Sequence, residues 1–222
     1  MCALGGDDRG AEPMSRRKTV DWQGIMSLSP CSQWPEERVR KAVPKRVSLS
    51  EFLGLKHIPP YDRLWVALHF TFLTKKLMGL FACACAERAL YLQREFGPAP
   101  PRQPFFDALT QLRQSIDAGV NVAVLKLICS HPYFPIGILP KTMAEWVVYR
   151  ATFSTAHCLE AYFCGIETAH AVASISLPLL KAGKVHKRPT KTSEKEHICK
   201  ILIALVNGYT IEDIRETLIR GF

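Results

Sequence analysis

The sequence predicts an all-α fold, an irregular multi-helix bundle with a basic, largely irregular N-terminal leader. Three observations lead there. Apolar residues recur at the 3.6-residue period of an amphipathic helix in nearly every ordered segment. No two alternating segments are joined by a hairpin turn. Proline and glycine cluster between the periodic stretches, where helix stops belong. With 222 residues, 48% of them hydrophobic and 22% charged, the chain is long enough for a core and too apolar to be wholly disordered.

Residues 1–46 read as the leader. Pro13, Pro30, Pro35 and Pro44 punctuate them without a sustained apolar period, although Trp22, Ile25, Met26 and Leu28 fall where one helical turn would dock. Met14, ahead of Ser15-Arg16-Arg17-Lys18, is a second candidate start. A helical core domain is expected over 47–180. Ser48 and Ser50 are N-cap candidates for a short helix from Glu51 to Leu55, stopped by Pro59 and Pro60. After Tyr61 and Asp62, the spacing of Leu64, Trp65, Leu68 and Phe72 predicts a helix to about Phe70.

Thr74 caps a helix from Lys75 to Phe96, whose apolar stripe is Leu77, Leu80, Phe81, Ala84, Cys85, Ala89 and Leu92; Gly97-Pro98-Ala99-Pro100-Pro101 ends it. Pro104 takes the first-turn position of a helix from Phe105 to Asp117. Val120 to Cys129 reads as helix despite its β-branched residues, since no strand partner of like character lies near. His131 to Pro140 is a proline-rich loop, and Lys141 to Ser176 is the longest helical stretch, with Gly165 as a point of break or bend. A basic connector spans 181–193. Residues 194–222 read as a C-terminal helical hairpin packed on the core: Glu194 to Val206, the Asn207-Gly208 turn, then Ile211 to Arg220 capped by Thr210.

Charge is uneven. The net +9 sits mostly in two segments: residues 14–46 carry eight cations against three carboxylates, and residues 181–200 seven against two. Cationic segments raise encounter rates with acidic surfaces of any kind. The residues expected to contact an acidic partner or phosphate are Arg16, Arg17, Lys18, Lys184, Lys187, Arg188 and Lys191. No apolar run reaches about 18 residues, so no membrane span is expected; the nearest, Val120 to Leu139, is interrupted by Asn121, Lys126 and His131. Residues 1–14 lack the apolar centre of a secretory leader, and the eight cysteines are read as free thiols in a reducing, cytoplasmic compartment.

Catalytic chemistry finds little support. Glu167-Thr168-Ala169-His170 and Glu194-Lys195-Glu196-His197 have the Glu-x-x-His spacing of di-metal bundles, but Glu87 is the only good candidate for the additional glutamates such a site needs. His157 and Cys158 are adjacent on a helix and point about 100° apart, which rules them out as a nucleophile–base pair. No phosphate-binding glycine loop is present. Helix, Asn-Gly turn and Thr210-capped helix match the first half of a helix-turn-helix, yet Glu212, Asp213 and Glu216 carry the wrong charge for DNA. No metal or cofactor is expected.

Three stretches resemble a family of bacterial immunity proteins of polymorphic toxin systems. They are Asp62-Arg63-Leu64-Trp65-Val66-Ala67-Leu68, then Leu80-Phe81-Ala82-Cys83-Ala84-Cys85-Ala86-Glu87-Arg88-Ala89-Leu90, then Pro100-Pro101-Arg102 through Leu112, within a similarity over roughly 50–175. The resemblance implies an all-α, non-enzymatic protein that occludes a partner, such as a cognate toxin. On physical grounds Asp62, Arg63, Trp65, Glu87 and Arg88 are expected to fix helix packing. The basic balance favours a protein partner with an acidic surface. The alternative is a nucleic-acid-associated accessory protein that grips phosphate through its basic segments; it predicts binding that weakens steeply with salt and with charge reversal at Lys187 and Arg188.

Overall fold

A computed structural model describes residues 19–68, 72–96, 100–118, 145 and 191–220. The helices expected over 120–129 and 141–176, the loop over 131–140 and most of the connector lie outside these residues, apart from Glu145, which is helical. The all-α reading holds. The described residues form eight α-helices, one π-helical turn and a single two-stranded ribbon. In chain order they are β1 (Thr19–Val20), α1 (Trp22–Met26), α2 (Glu36–Ala42), β2 (Val47–Ser48), α3 (Leu49–Leu53), α4 (Pro60–Ala67), α5 (Lys75–Phe96), α6 (Gln103–Asp117), α7 (Lys191–Val206), α8 (Ile211–Ile214) and the π turn Arg215–Ile219. None of these helices is long and apolar enough to cross a membrane.

The described part of the leader corrects the expectation of irregularity. Residues 19–46 contain β1, α1 and α2, and they bury Val20, Ile25, Val39 and Val43. β1 pairs antiparallel with β2, Thr19 opposite Ser48 and Val20 opposite Val47, which ties the leader to the start of α3. Short helices such as these are unstable alone and persist because packing holds them. Local caps help. The Asp21 carboxylate accepts the Gly24 N–H at 2.8 Å, and Glu36 and Glu37 open α2 while Arg40 and Lys41 close it, matching the helix dipole.

Helix boundaries shift where capping chemistry decides them. Ser48, not Ser50, caps α3, because Glu51 reaches back to the Ser48 N–H at 2.7 Å and completes a capping box. Pro60 begins α4 as a first-turn proline instead of merely ending the helix before it. α5 keeps its predicted bounds, with the Leu77 N–H donating to Thr74 Oγ1 at 3.2 Å. α7 starts at Lys191, so the last three residues of the expected connector are helical.

α5 is the central element. Its run Phe81 to Ala86 is buried throughout, as in a helix enclosed on all sides, and the small alanines and cysteines let neighbours approach closely. α6 lies along it through Phe105, Ala108, Leu109, Leu112 and Ile116. α7 packs on α3, α4 and α5 through Ile198, Ile201, Leu202 and Leu205. It ends as the sequence predicts. Gly208 takes φ 91°, the Tyr209 N–H returns to the Ala204 carbonyl at 3.1 Å, and the Gly208 N–H to Leu205 at 3.1 Å. Thr210 and Asp213 then form a second capping box for α8. The C-terminal hairpin is therefore present and rests on the core.

Two substitutions test this arrangement by urea unfolding. Gly208→Ala forces a side chain into left-handed backbone and is expected to cost about 1 kcal/mol. Phe81→Ala, at the buried centre of α5, is expected to cost about 3–5 kcal/mol. An unchanged midpoint for either contradicts the corresponding packing.

Candidate functional site

The leader and α4 enclose an apolar groove of about 330 Å³, whose walls include Ile25, Trp34, Val39, Val43, Ile58, Tyr61, Trp65 and Val66. It is built by two local devices. After α1, Ser29 adopts a left-handed φ of 55° and Pro30 follows, swinging the chain outward to Cys31 and Trp34. The Trp34 indole N–H then donates to Asp62 Oδ2 at 3.1 Å, which closes the leader against the first turn of α4.

Cations are stacked on two aromatics of this groove, Trp34 and Tyr61, and on Trp22 of α1. The Arg38 guanidinium lies 4.3 Å from the Trp34 ring centre and donates to the Gln33 carbonyl at 2.8 Å; Arg40 lies 4.7 Å over Trp22, and the Lys195 ammonium 4.7 Å over Tyr61. Between residues 36 and 46, Arg38, Arg40, Lys41, Lys45 and Arg46 are all exposed, against the carboxylates of Glu36 and Glu37. Arg46 answers Asp21 at 3.1 Å. The surface thus combines an apolar floor with a cationic rim.

Beneath the groove, the residue after Asp62 does a different job. Arg63 is fully buried, donating from Nη1 to the Leu53 carbonyl and from Nη2 to Glu196 on α7, while its Nε has no partner among the described residues. Lys56 also reaches Glu196, at 3.2 Å. Burial opposes the Glu196 charge, but the hydrogen bonds from Arg63 and Lys56 outweigh it and hold the carboxyl below its usual range. The neighbouring Cys199 thiol is buried, and burial pushes it up to about 12. It is neutral at physiological pH and a poor nucleophile.

Arg16, Arg17, Lys18, Lys184, Lys187 and Arg188 lie outside the described residues, and Lys191 begins α7. The Glu-x-x-His candidates that are described have other partners. His197 donates from Nε2 to the Leu218 carbonyl and Glu87 pairs with Arg215 at 2.5 Å, while the side chain of Glu194, the glutamate of that motif, lies outside the described atoms. Among the described residues no three His, Cys, Asp or Glu side chains converge on a metal site. His157, Cys158, Glu167 and His170 are not among them.

The residues singled out by the resemblance serve packing. Asp62 and Arg63 hold the leader and α7 to α4. Arg88, itself buried, donates to the Ile219 carbonyl at 3.0 Å, capping the end of the π turn. Arg102 binds Glu145 through Nε at 2.9 Å and Nη2 at 2.8 Å, and its backbone N–H adds a third bond at 3.1 Å. Trp65 is half-buried in the groove wall, not in the interior where a core residue would be. No family model, no curated protein and no solved structure matches the chain.

Two measurements check this chemistry. A depressed Glu196 contributes stability above its unfolded value of ~4.3 and loses it as pH falls through the lower folded value. Asp21, held down chiefly by the Gly24 N–H, acts in the same direction. Unfolding free energy is expected to be flat down to about pH 5 and to drop below it, with a shallower drop in Glu196→Gln. Peptide-mapped alkylation is expected to label exposed Cys31 in the native protein, and buried Cys83, Cys85 and Cys199 only after denaturation. Equal labelling of all four refutes the burial described.

Proposed function

We propose that this chain is a non-enzymatic partner-binding protein. It seats an acidic protein surface on the groove between the leader and α4 and acts by occlusion, in the manner of an immunity protein that blocks its cognate toxin. The observation that supports this reading is the groove itself: Trp34, Trp65 and Tyr61 around an apolar floor, with Arg38 stacked on Trp34 and Lys195 over Tyr61. Tryptophan, tyrosine and arginine are the residues that dominate interface energetics.

Each part has a task. An apolar anchor from the partner fills the floor and displaces its water, while a large aromatic wall buries about 150–250 Å². Stacking holds the Arg38 fork nearly in place, so less side-chain freedom is lost when a partner carboxylate accepts its N–H groups. The excess of cations over residues 36–46 speeds encounter with an acidic face more than it adds affinity. A catalytic role has no such support: the two described histidines, His57 and His197, both turn Nε2 to backbone carbonyls, Ala42 and Leu218 respectively.

Co-expression with the product of the adjacent gene, followed by titration calorimetry, tests the proposal. A complex is expected whose affinity falls about 30-fold in Trp34→Ala, roughly the 2 kcal/mol of a central aromatic anchor, with only a modest loss as salt is raised. Absence of a complex overturns it. So does tight binding to duplex DNA that drops about 10³-fold between 50 and 200 mM salt, which is the behaviour of a phosphate-gripping accessory protein.

A further inference from the structure

A second cavity, independent of the groove, lies where α5, α6 and the C-terminal turn meet. It measures about 320 Å³, at the small end of the range for small-molecule sites. Tyr91 and Phe106 supply aromatic walls, and four arginines line it: Arg94, Arg113, Arg215 and Arg220. The lining residues include one carboxylate, Glu87.

The charges divide into two groups. Glu87 pairs with Arg215 at 2.5 Å and Arg113 at 3.9 Å, while Glu212 pairs with the same two arginines at 3.5 and 2.9 Å. Those four side chains are neutral as a set and brace α5, α6 and α8 together. Arg94 and Arg220 are left over. Their partners are near in sequence and well exposed: Glu95 at 3.0 Å with 41% of its side chain exposed, and Glu216 at 2.7 Å with 72%. Exposed pairs of this kind contribute about 0–1 kcal/mol, so a better anion displaces them at little cost. The two Nη groups of Arg94, and Nε and Nη2 of Arg220, have no hydrogen-bond partner among the described residues.

Two guanidiniums held only by exposed, displaceable carboxylates match one dianion. A phosphate monoester carries between 1.5 and 2 negative charges at neutral pH, by analogy with phosphorylated side chains, and accepts the planar donor fork of arginine well, whereas a single carboxylate balances only one of them. The aromatic walls favour a flat ring attached to that phosphate. We propose that this cleft is a binding site for a small phosphate monoester bearing a planar ring, the chemistry of a nucleoside monophosphate. Arg94 and Arg220 grip the phosphate, and the ring lies against Tyr91 and Phe106.

Adenosine monophosphate is the probe, with adenosine and inorganic phosphate as controls, read by titration calorimetry and thermal unfolding of the full chain. The monophosphate is expected to bind and raise Tm, with each control at least about tenfold weaker. Arg94→Gln and Arg220→Gln are each expected to weaken it about tenfold or more while leaving the unliganded Tm unchanged, since each arginine's ion pair is to a solvent-exposed carboxylate and contributes little to stability. No binding at about 10 mM overturns the site, as does binding that adenosine reproduces or that both variants retain.

Discussion

An arginine with no exposed surface needs a partner, and here that need joins the two ends of the described chain. Removing a guanidinium from water costs several kcal/mol, and the cost is offset only where a carboxylate and hydrogen-bond acceptors surround it. Arg63 on α4 finds the Leu53 carbonyl and, 133 positions away, Glu196 on α7. The pair therefore specifies which part of α7 faces α4. Leucines and isoleucines along α7 supply the burial energy but little register, because apolar contacts are not directional.

Everything above and beyond that pair follows its geometry. Asp62, the preceding residue, points away from the interior and receives the Trp34 indole, so the leader is closed over the same helix that Arg63 anchors below. On the far side of α7, His197 and the buried Arg88 take up carbonyls of the π turn, and Glu87 with Arg113, Glu212 and Arg215 braces the C-terminal hairpin. One face of the molecule becomes an aromatic groove with a cationic rim; another becomes an arginine-lined cleft. The groove is where we place the partner, and the cleft is where we place a phosphate monoester.

The long helices were legible because their apolar stripes persist for several turns and end in unambiguous punctuation: α5 before Gly97-Pro98, α7 at Asn207-Gly208. The leader was harder. Trp22, Ile25, Met26 and Leu28 hinted at one docked turn, but α1 and α2 are too short for a period to accumulate, and they are held by packing and by the pairing of Thr19 with Ser48 and Val20 with Val47. The site was the least legible part. That Trp34 meets Asp62, or Arg63 meets Glu196, depends on tertiary contacts that leave no local pattern. Charge counting pointed to Arg16–Lys18 and Lys184–Lys191, whereas Arg38, Arg40 and Lys195 are among the described cations stacked on aromatic rings.

A double-mutant cycle across Arg63 and Glu196, measured by urea unfolding, addresses the central pair most directly. Glu196→Met is predicted to cost about 3 kcal/mol by stranding a buried guanidinium. Arg63→Met is predicted to cost less, because Lys56 still holds Glu196 at the surface. The double variant is predicted to lie close to Arg63→Met alone, a coupling of about 3 kcal/mol. Additive losses would mean that the two side chains act independently and that α7 is positioned by something else.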